Sequence, residues 1–145
     1  MARIKVELPE HFAFSTTIPV RITDLNYGKH VGNDTILSMI HEARVQYLHH
    51  LGYAELDMAG VGVIMSDVGI EFKNELFYGD VVIASVAAGD ITRVAFDLYY
   101  KFEKRSGDKT VLVAAAKTGM VCFDYGLKKV AGVPAEVAAK LKGNR

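Results

Sequence analysis

The sequence has little of what would set it apart from an ordinary small domain. A single cysteine, Cys122, among 145 residues excludes an intrachain disulfide framework, which fits a reducing compartment. Lying in an apolar stretch, it reads as a buried, unreactive thiol. Seventeen basic side chains balance seventeen acidic ones, leaving no polycationic surface for nucleic acid or an anionic membrane. No apolar run approaches the ~18 residues that cross a bilayer. The opening MARIKVELPEHF scatters charge where a signal peptide needs an apolar core. The cytoplasm is the expected compartment. Linkers, internal repeats and low-complexity tracts are also missing, so residues 1–145 are expected to form one domain. With 50% hydrophobic content, such a chain buries a core without metal or disulfides.

What is present is strongly patterned. TTIPVRITD, residues 16–24, alternates Ile18, Val20 and Ile22 against Thr17, Pro19 and Arg21. This predicts a strand, near a sheet edge because of Pro19. Ile36, Ile40, Ala43, Tyr47 and Leu51 then recur at helical spacing, with Leu37 and Leu48 widening the stripe. One long helix is expected from about Asn33 to Leu51, stopped by Gly52. VGVIMSDVGIEFK follows as a strand with Ile64, Ser66, Val68, Ile70 and Phe72 on one face, and Tyr78-Gly79-Asp80 turns the chain into VVIASVAAGDI. Val94, Phe96, Leu98, Tyr100 and Phe102 alternate with Asp97, Lys101 and Glu103 as in a half-buried antiparallel strand. Beyond the Ser106-Gly107-Asp108 turn, TVLVAAAKTGMVCF is apolar on both faces. It should lie centrally in the sheet or at a subunit interface, and a dimer would cover the excess apolar surface. A short helix is expected after Pro134. One early helix followed by a meander of long strands makes an α+β fold whose sheet wraps the helix.

The order of these elements, with DLNYGKHVGN at 24–33, EAR at 42–44 and YGD at 78–80, resembles the hotdog fold and its acyl-CoA thioesterase branch of the 4-hydroxybenzoyl-CoA type. That branch writes D-x-D-x-x-G-H-V-N-N before its helix, and the resemblance spans nearly the whole chain. It implies an antiparallel sheet around a central helix, a homodimer or homotetramer, and an acyl-CoA or acyl-carrier thioester as substrate. Coenzyme A enters as part of that substrate, and neither a separate cofactor nor a metal is implied. Two positions depart from the pattern. The aspartate that the family uses as base or nucleophile falls on Asn26, and its first helix-start asparagine falls on Gly32. An amide neither accepts a proton at neutral pH nor attacks a carbonyl.

The candidate catalytic residues are therefore Asp24, Asn26, His30 and Asn33, with Tyr27, Gly28, Gly32, Glu42 and Ser66 as candidate substrate contacts. If the chain is extended through 24–26, Asp24 and Asn26 share a side, ~7 Å apart. Asp24 then either supplies the missing carboxylate or simply bonds nearby backbone N–H groups. His30 either orients a water or donates to the thioester oxygen, or it caps loop carbonyls. Asn33 begins the helix, whose free N–H groups suit a developing oxyanion, and it is equally fit as an N-cap. Asp34 reads as a helix-start carboxylate. Glu42 falls on the helix face away from the sheet. Ser66 meets substrate or bonds backbone within the core. Arg44 lies inside the apolar stripe, which favours a structural ion pair. Lys101, Lys104, Arg105 and Lys109 gather at one hairpin, either as a phosphate contact or as a solvated tip.

Two other readings stand beside hydrolysis. A noncatalytic acyl-CoA or acyl-carrier binding protein would keep the loop and dispense with the carboxylate that Asn26 replaces. The hotdog enoyl-CoA hydratase motif D-x-N-P-x-H is approached by DLNYGKH, without its proline and with one extra residue before His30.

Overall fold

The computed structural model describes residues 3–143. In chain order the elements are β1 (Phe14–Pro19), α1 (Asn33–His50), β2 (Gly62–Phe72), β3 (Val81–Gly89), β4 (Ala95–Ser106), β5 (Lys109–Asp124), β6 (Lys129–Val130) and α2 (Ala135–Gly143). The strands form one antiparallel sheet in the order β1-β3-β4-β5-β2, with β6 paired to the end of β5. The expected α+β hotdog arrangement of a long helix against an antiparallel sheet is what the chain adopts.

The even-numbered residues of β4 explain the core. Phe96, Leu98, Tyr100 and Phe102 are each buried almost completely and face α1. Their partners across β3 and β5 include Ala84, Val86, Ala88, Ala114 and Ala116, small enough to let the helix approach the sheet. Ile36, Ile40, Ala43, Tyr47 and Leu48 fill the gap from the helix side, whereas Leu37 is 38% exposed and stands outside the stripe. Each large side chain so buried contributes ~1.5–3 kcal/mol. Gly52, at φ 92°, ends the helix, and the N–H of Tyr53 reaches back to Leu48 O at 2.8 Å.

Three details depart from the sequence reading. The first strand stops at Pro19, and Ile22–Asp24 form a single 3-10 turn. Arg21 causes this: its N–H donates to Asp24 Oδ2 at 2.7 Å and its guanidinium to Asp24 Oδ1 at 3.1 Å. Ile22 is left 66% exposed, off the apolar face. In β2, a bulge between Met65 and Asp67 shifts the alternation by one residue. Ser66 is the extra residue, and Ile64 turns to the outer face of the sheet. Finally, β5 is central, as one expectation had it, but the chain itself covers part of the outer face. Ile4 lies over Gly69, the N–H of Val6 donates to Glu71 Oε1 at 2.6 Å, and Lys101 Nζ sits 5.0 Å from the Phe12 ring centre. The apolar outer side of β5 therefore does not by itself require a second subunit.

Candidate active site

Residues 25–31 close into a narrow hairpin. Leu25 and Val31 form an antiparallel bridge, the N–H of Asn26 donates to His30 O at 2.9 Å, and the N–H of Lys29 donates to Asn26 O at 3.0 Å. Lys29 takes φ 65° to make the return. Asn26 accepts the N–H of Gly28 on Oδ1 at 2.8 Å, the local side-chain bond for which asparagine is favoured in turns. Gly28 permits a close approach: a Cβ there would lie 3.1 Å from His30 Nε2 and 3.2 Å from Asn26 Oδ1. The imidazole thus lies over the turn that Asn26 organises.

The hairpin delivers the chain to α1. Gly32, not Asn33, is the N-cap, in extended conformation and without a side-chain cap bond. Asn33 is the first helical residue, exposed, and its carboxamide is free of the capping role. The N–H groups of Thr35 and Ile36 both turn back to Gly32 O at 3.1 Å, whereas those of Asn33 and Asp34 have no acceptor among the described residues. Such unpaired donors carry the positive end of the helix dipole. A Cβ on Gly32 would lie 2.7 Å from Asp34 Oδ1 and 3.7 Å from Asn26 Nδ2. Glycine thus lets the Asp34 carboxylate fold back over the helix start, with the Asn26 amide beside it.

His30, Val31, Asn33 and Ile36 form one wall of a groove of about 260 Å³; Phe72, Lys73, Asn74, Glu75, Leu76 and Val113 form the other. Val31 N–H donates to Leu76 O at 2.9 Å and fastens the two walls together. His30 Nδ1 lies 3.4 Å from Val31 O, and Nε2 lies 4.0 Å from Glu75 Oε1. Glu75 was not among the residues singled out in the sequence. It lies in a polar loop distant in the chain, and the signal was its place just ahead of the Tyr78-Gly79-Asp80 turn.

The remaining candidates lie elsewhere. Asp24 is 5% exposed and bound to Arg21. Burial alone would raise its pKa, but the Arg21 hydrogen bonds and charge hold it below the ordinary carboxylate value. The 3-10 turn ends on Asp24 with Leu25 extended after it, and the Asp24 carboxylate is turned back onto Arg21. Asp24 and Glu42 line a second groove of about 270 Å³ with Thr35, Ser38 and Met39, and Glu42 accepts a bond from Gln46 Nε2 at 2.8 Å. Tyr27 stands fully in solvent at the hairpin tip. Ser66 donates to Gly119 O at 3.1 Å, which ties it to the strand. Lys104 Nζ is held by Asp80 Oδ2 at 3.0 Å and Glu75 O at 2.7 Å, so this lysine of the hairpin cluster is already engaged. Arg44 forms the expected ion pair: its Nε donates to Glu55 Oε2 at 2.8 Å, and NH1 reaches Tyr100 OH at 3.4 Å. Burial pushes the Cys122 thiol up to about 11, consistent with an inert role.

A family model described as the thioesterase-like superfamily matches residues 20–141. No curated protein matches the chain in sequence. Among solved structures, a 1,4-dihydroxy-2-naphthoyl-CoA thioesterase from Synechocystis is 20% identical, with a TM-score of 0.78 over 89% of this chain and 95% of that one. A mutant 4-hydroxybenzoyl-CoA thioesterase complexed with 4-hydroxybenzoyl-CoA is 17% identical, with a TM-score of 0.80 over 88% and 97%. A hypothetical protein from Thermus thermophilus is 23% identical, with a TM-score of 0.78 over 90% and 98%. These likenesses concern the fold.

Proposed function

The chain belongs to the thioesterase-like superfamily, and from that premise we propose that it hydrolyses an acyl-coenzyme A or acyl-carrier thioester in the groove between residues 30–36 and 72–76. The observation that carries this reading is that His30 and Asn33, the first residue of a helix start with unpaired N–H groups, line one wall of the same groove. Thioester hydrolysis needs a positioned water and donors at the oxygen that becomes negative. The helix start supplies the donors, and the Asp34 carboxylate that folds back at Gly32 has to swing aside for a carbonyl to approach them. Ile36, Phe72, Leu76 and Val113 offer an apolar wall for the acyl group, and acyl-CoA compounds figure in the names of two of the structural neighbours.

Asn26 keeps a noncatalytic acyl-CoA binding protein as the second reading. Turnover separates the two. Purified protein should release free thiol from at least one member of an acyl-CoA panel, and His30→Ala should lower that rate at least ~10-fold, toward the 10²–10⁴ range of positioned acid–base groups. Its melting temperature should hardly change. Lost stability with retained turnover would make His30 a loop cap instead.

The site is proposed to be completed by a second copy. Among the described residues, strand β2 pairs only with β5, and its open edge carries Ile64, Met65, Val68 and Phe72, each between 37% and 49% exposed. An apolar edge of this length is a template for another strand. Joining two β2 edges would bring the partner alongside Phe72 and wall the groove. Light scattering should give a dimer at minimum, with a homotetramer as the larger alternative. A monomer at micromolar concentration would remove the shared groove.

A further inference from the structure

We propose that Glu75 is a catalytic residue that, together with His30, holds the hydrolytic water, supplying the carboxylate that Asn26 does not. The inference rests on the thioesterase reading and names a residue that the loop motif does not contain.

The geometry of His30 comes first. Val31 O has no proton to give, so the contact at 3.4 Å requires the proton on Nδ1. The Nε2 of the neutral ring is then an acceptor. Facing it at 4.0 Å is Glu75 Oε1, a second acceptor. Two acceptors at that spacing do not bond each other, but one water can donate a hydrogen to each. With ordinary O–H contacts of ~2.8 Å, the angle at the water oxygen is ~90°, close to what its two hydrogens span. Both protons are then occupied, and the oxygen lone pairs face the groove where the helix-start donors lie.

The backbone around Glu75 is fixed, although its side chain is 63% exposed. Glu75 O accepts Lys104 Nζ at 2.7 Å, Asn74 Nδ2 donates to Leu112 O at 2.6 Å, and the next residue, Leu76, is 1% exposed with its carbonyl bound by Val31 N–H. Among the described residues no lysine or arginine lies within 4.0 Å of the Glu75 carboxylate, by the geometry that pairs Lys104 with Asp80 and Lys73 with Glu71. A carboxylate held in place at its backbone and unpaired with a permanent cation is available to take a proton.

The step balances as follows. The water oxygen bonds to the thioester carbon while its O–H bond toward Glu75 breaks, and the proton passes to Oε1. The carbonyl electron pair moves onto oxygen, where the N–H groups of Asn33 and Asp34 receive it. Collapse re-forms the carbonyl and breaks the C–S bond, and the departing thiolate takes the proton from the Glu75 carboxyl. One water is consumed, one acid and one thiol leave, and Glu75 is again a carboxylate.

The test uses full-length protein and Glu75→Gln, which keeps the size of the side chain but cannot take the proton. Wild-type turnover is measured on the acyl-CoA panel, and binding is measured with non-hydrolysable thioether analogues of the same panel members. The expected result is a fall in kcat of about 10²-fold or more, with KM, analogue affinity and melting temperature within about twofold or a degree of wild type. Adding His30→Ala to Glu75→Gln should cost far less than His30→Ala alone, because both groups serve one water. Glu75→Asp should retain part of the rate. If wild type turns over and Glu75→Gln stays within about threefold of it, the role of Glu75 is overturned while the thioesterase reading stands. If wild type binds an analogue but turns over nothing, both are overturned.

Discussion

In the Glu75→Gln background, Asn26→Asp should raise thioester hydrolysis about 10²-fold, the contribution of a well-placed general base. The hairpin tolerates the change, because the bond from Gly28 N–H to Oδ1 needs only an acceptor. The second oxygen then takes the place of Nδ2, 3.7 Å from where a Cβ on Gly32, the N-cap of α1, would lie, and a helix start favours negative charge. One opposing effect is visible: Asp34 Oδ1 occupies the other side of the same glycine. Like charges at a helix surface cost ~0.2–0.5 kcal/mol, whereas a 10²-fold rate change corresponds to ~2.7 kcal/mol of barrier. The gain in rate therefore dominates, and the melting temperature should fall only slightly. In the Asn26→Asp background, Glu75→Gln should cost much less than in the native chain, since the loop then carries its own base. An unchanged rate, measured as free thiol released per active site, would mean that position 26 serves the turn alone.

Arg44→Leu should destabilise the fold by about 3 kcal/mol, at the lower end of the range for breaking a buried pair. The Arg44 side chain is 7% exposed and that of its partner Glu55 is 24% exposed, so water relieves part of the stranded charge. Tyr100 OH keeps Thr118 Oγ1 at 2.8 Å, and Glu55 Oε1 keeps His41 Nε2 at 2.6 Å, which localises the damage. Urea unfolding measures the loss. Its pH dependence has a definite sign. Burial alone would raise the Glu55 pKa, but bonds from Arg44 and His41 hold it below its ordinary 4.5. The resulting stabilisation is fully present above 4.5 and is lost as pH falls through the lower folded value. The gap between wild type and Arg44→Leu should therefore narrow only in acid.

The helix and the sheet were readable because burial repeats with the period of each. Ile36, Ile40, Ala43 and Tyr47 mark one side of a helix, and Phe96 to Phe102 mark one side of a strand. Arg44 was readable for the converse reason, a charge in an apolar stripe that needs a partner. Single-residue shifts were not readable. The Arg21–Asp24 turn ends an alternation that looks continuous through Ile22, and the bulge at Ser66 reverses which face Ile64 takes. Periodicity carries no sign of either until a specific hydrogen bond is known. The site was half legible. Asn26, Gly28, His30, Gly32 and Asn33 are neighbours in the chain and remain so in space. Glu75 meets His30 only because Val31 bonds Leu76, a tertiary contact that no local pattern encodes.

The strand order sets a schedule for the growing chain. β2 is made before β3 and β4, yet its partner inside the sheet is β5: Phe72 waits for Ala114, and Val63 for Cys122. The earliest residues wait as well, since Ile4 and Phe12 find Gly69 and Lys101 only once those have been made. Pairings this far apart slow folding. Meanwhile an eleven-residue, largely apolar strand lacks its sheet neighbour, and it is the segment on which crowded nascent chains would first adhere.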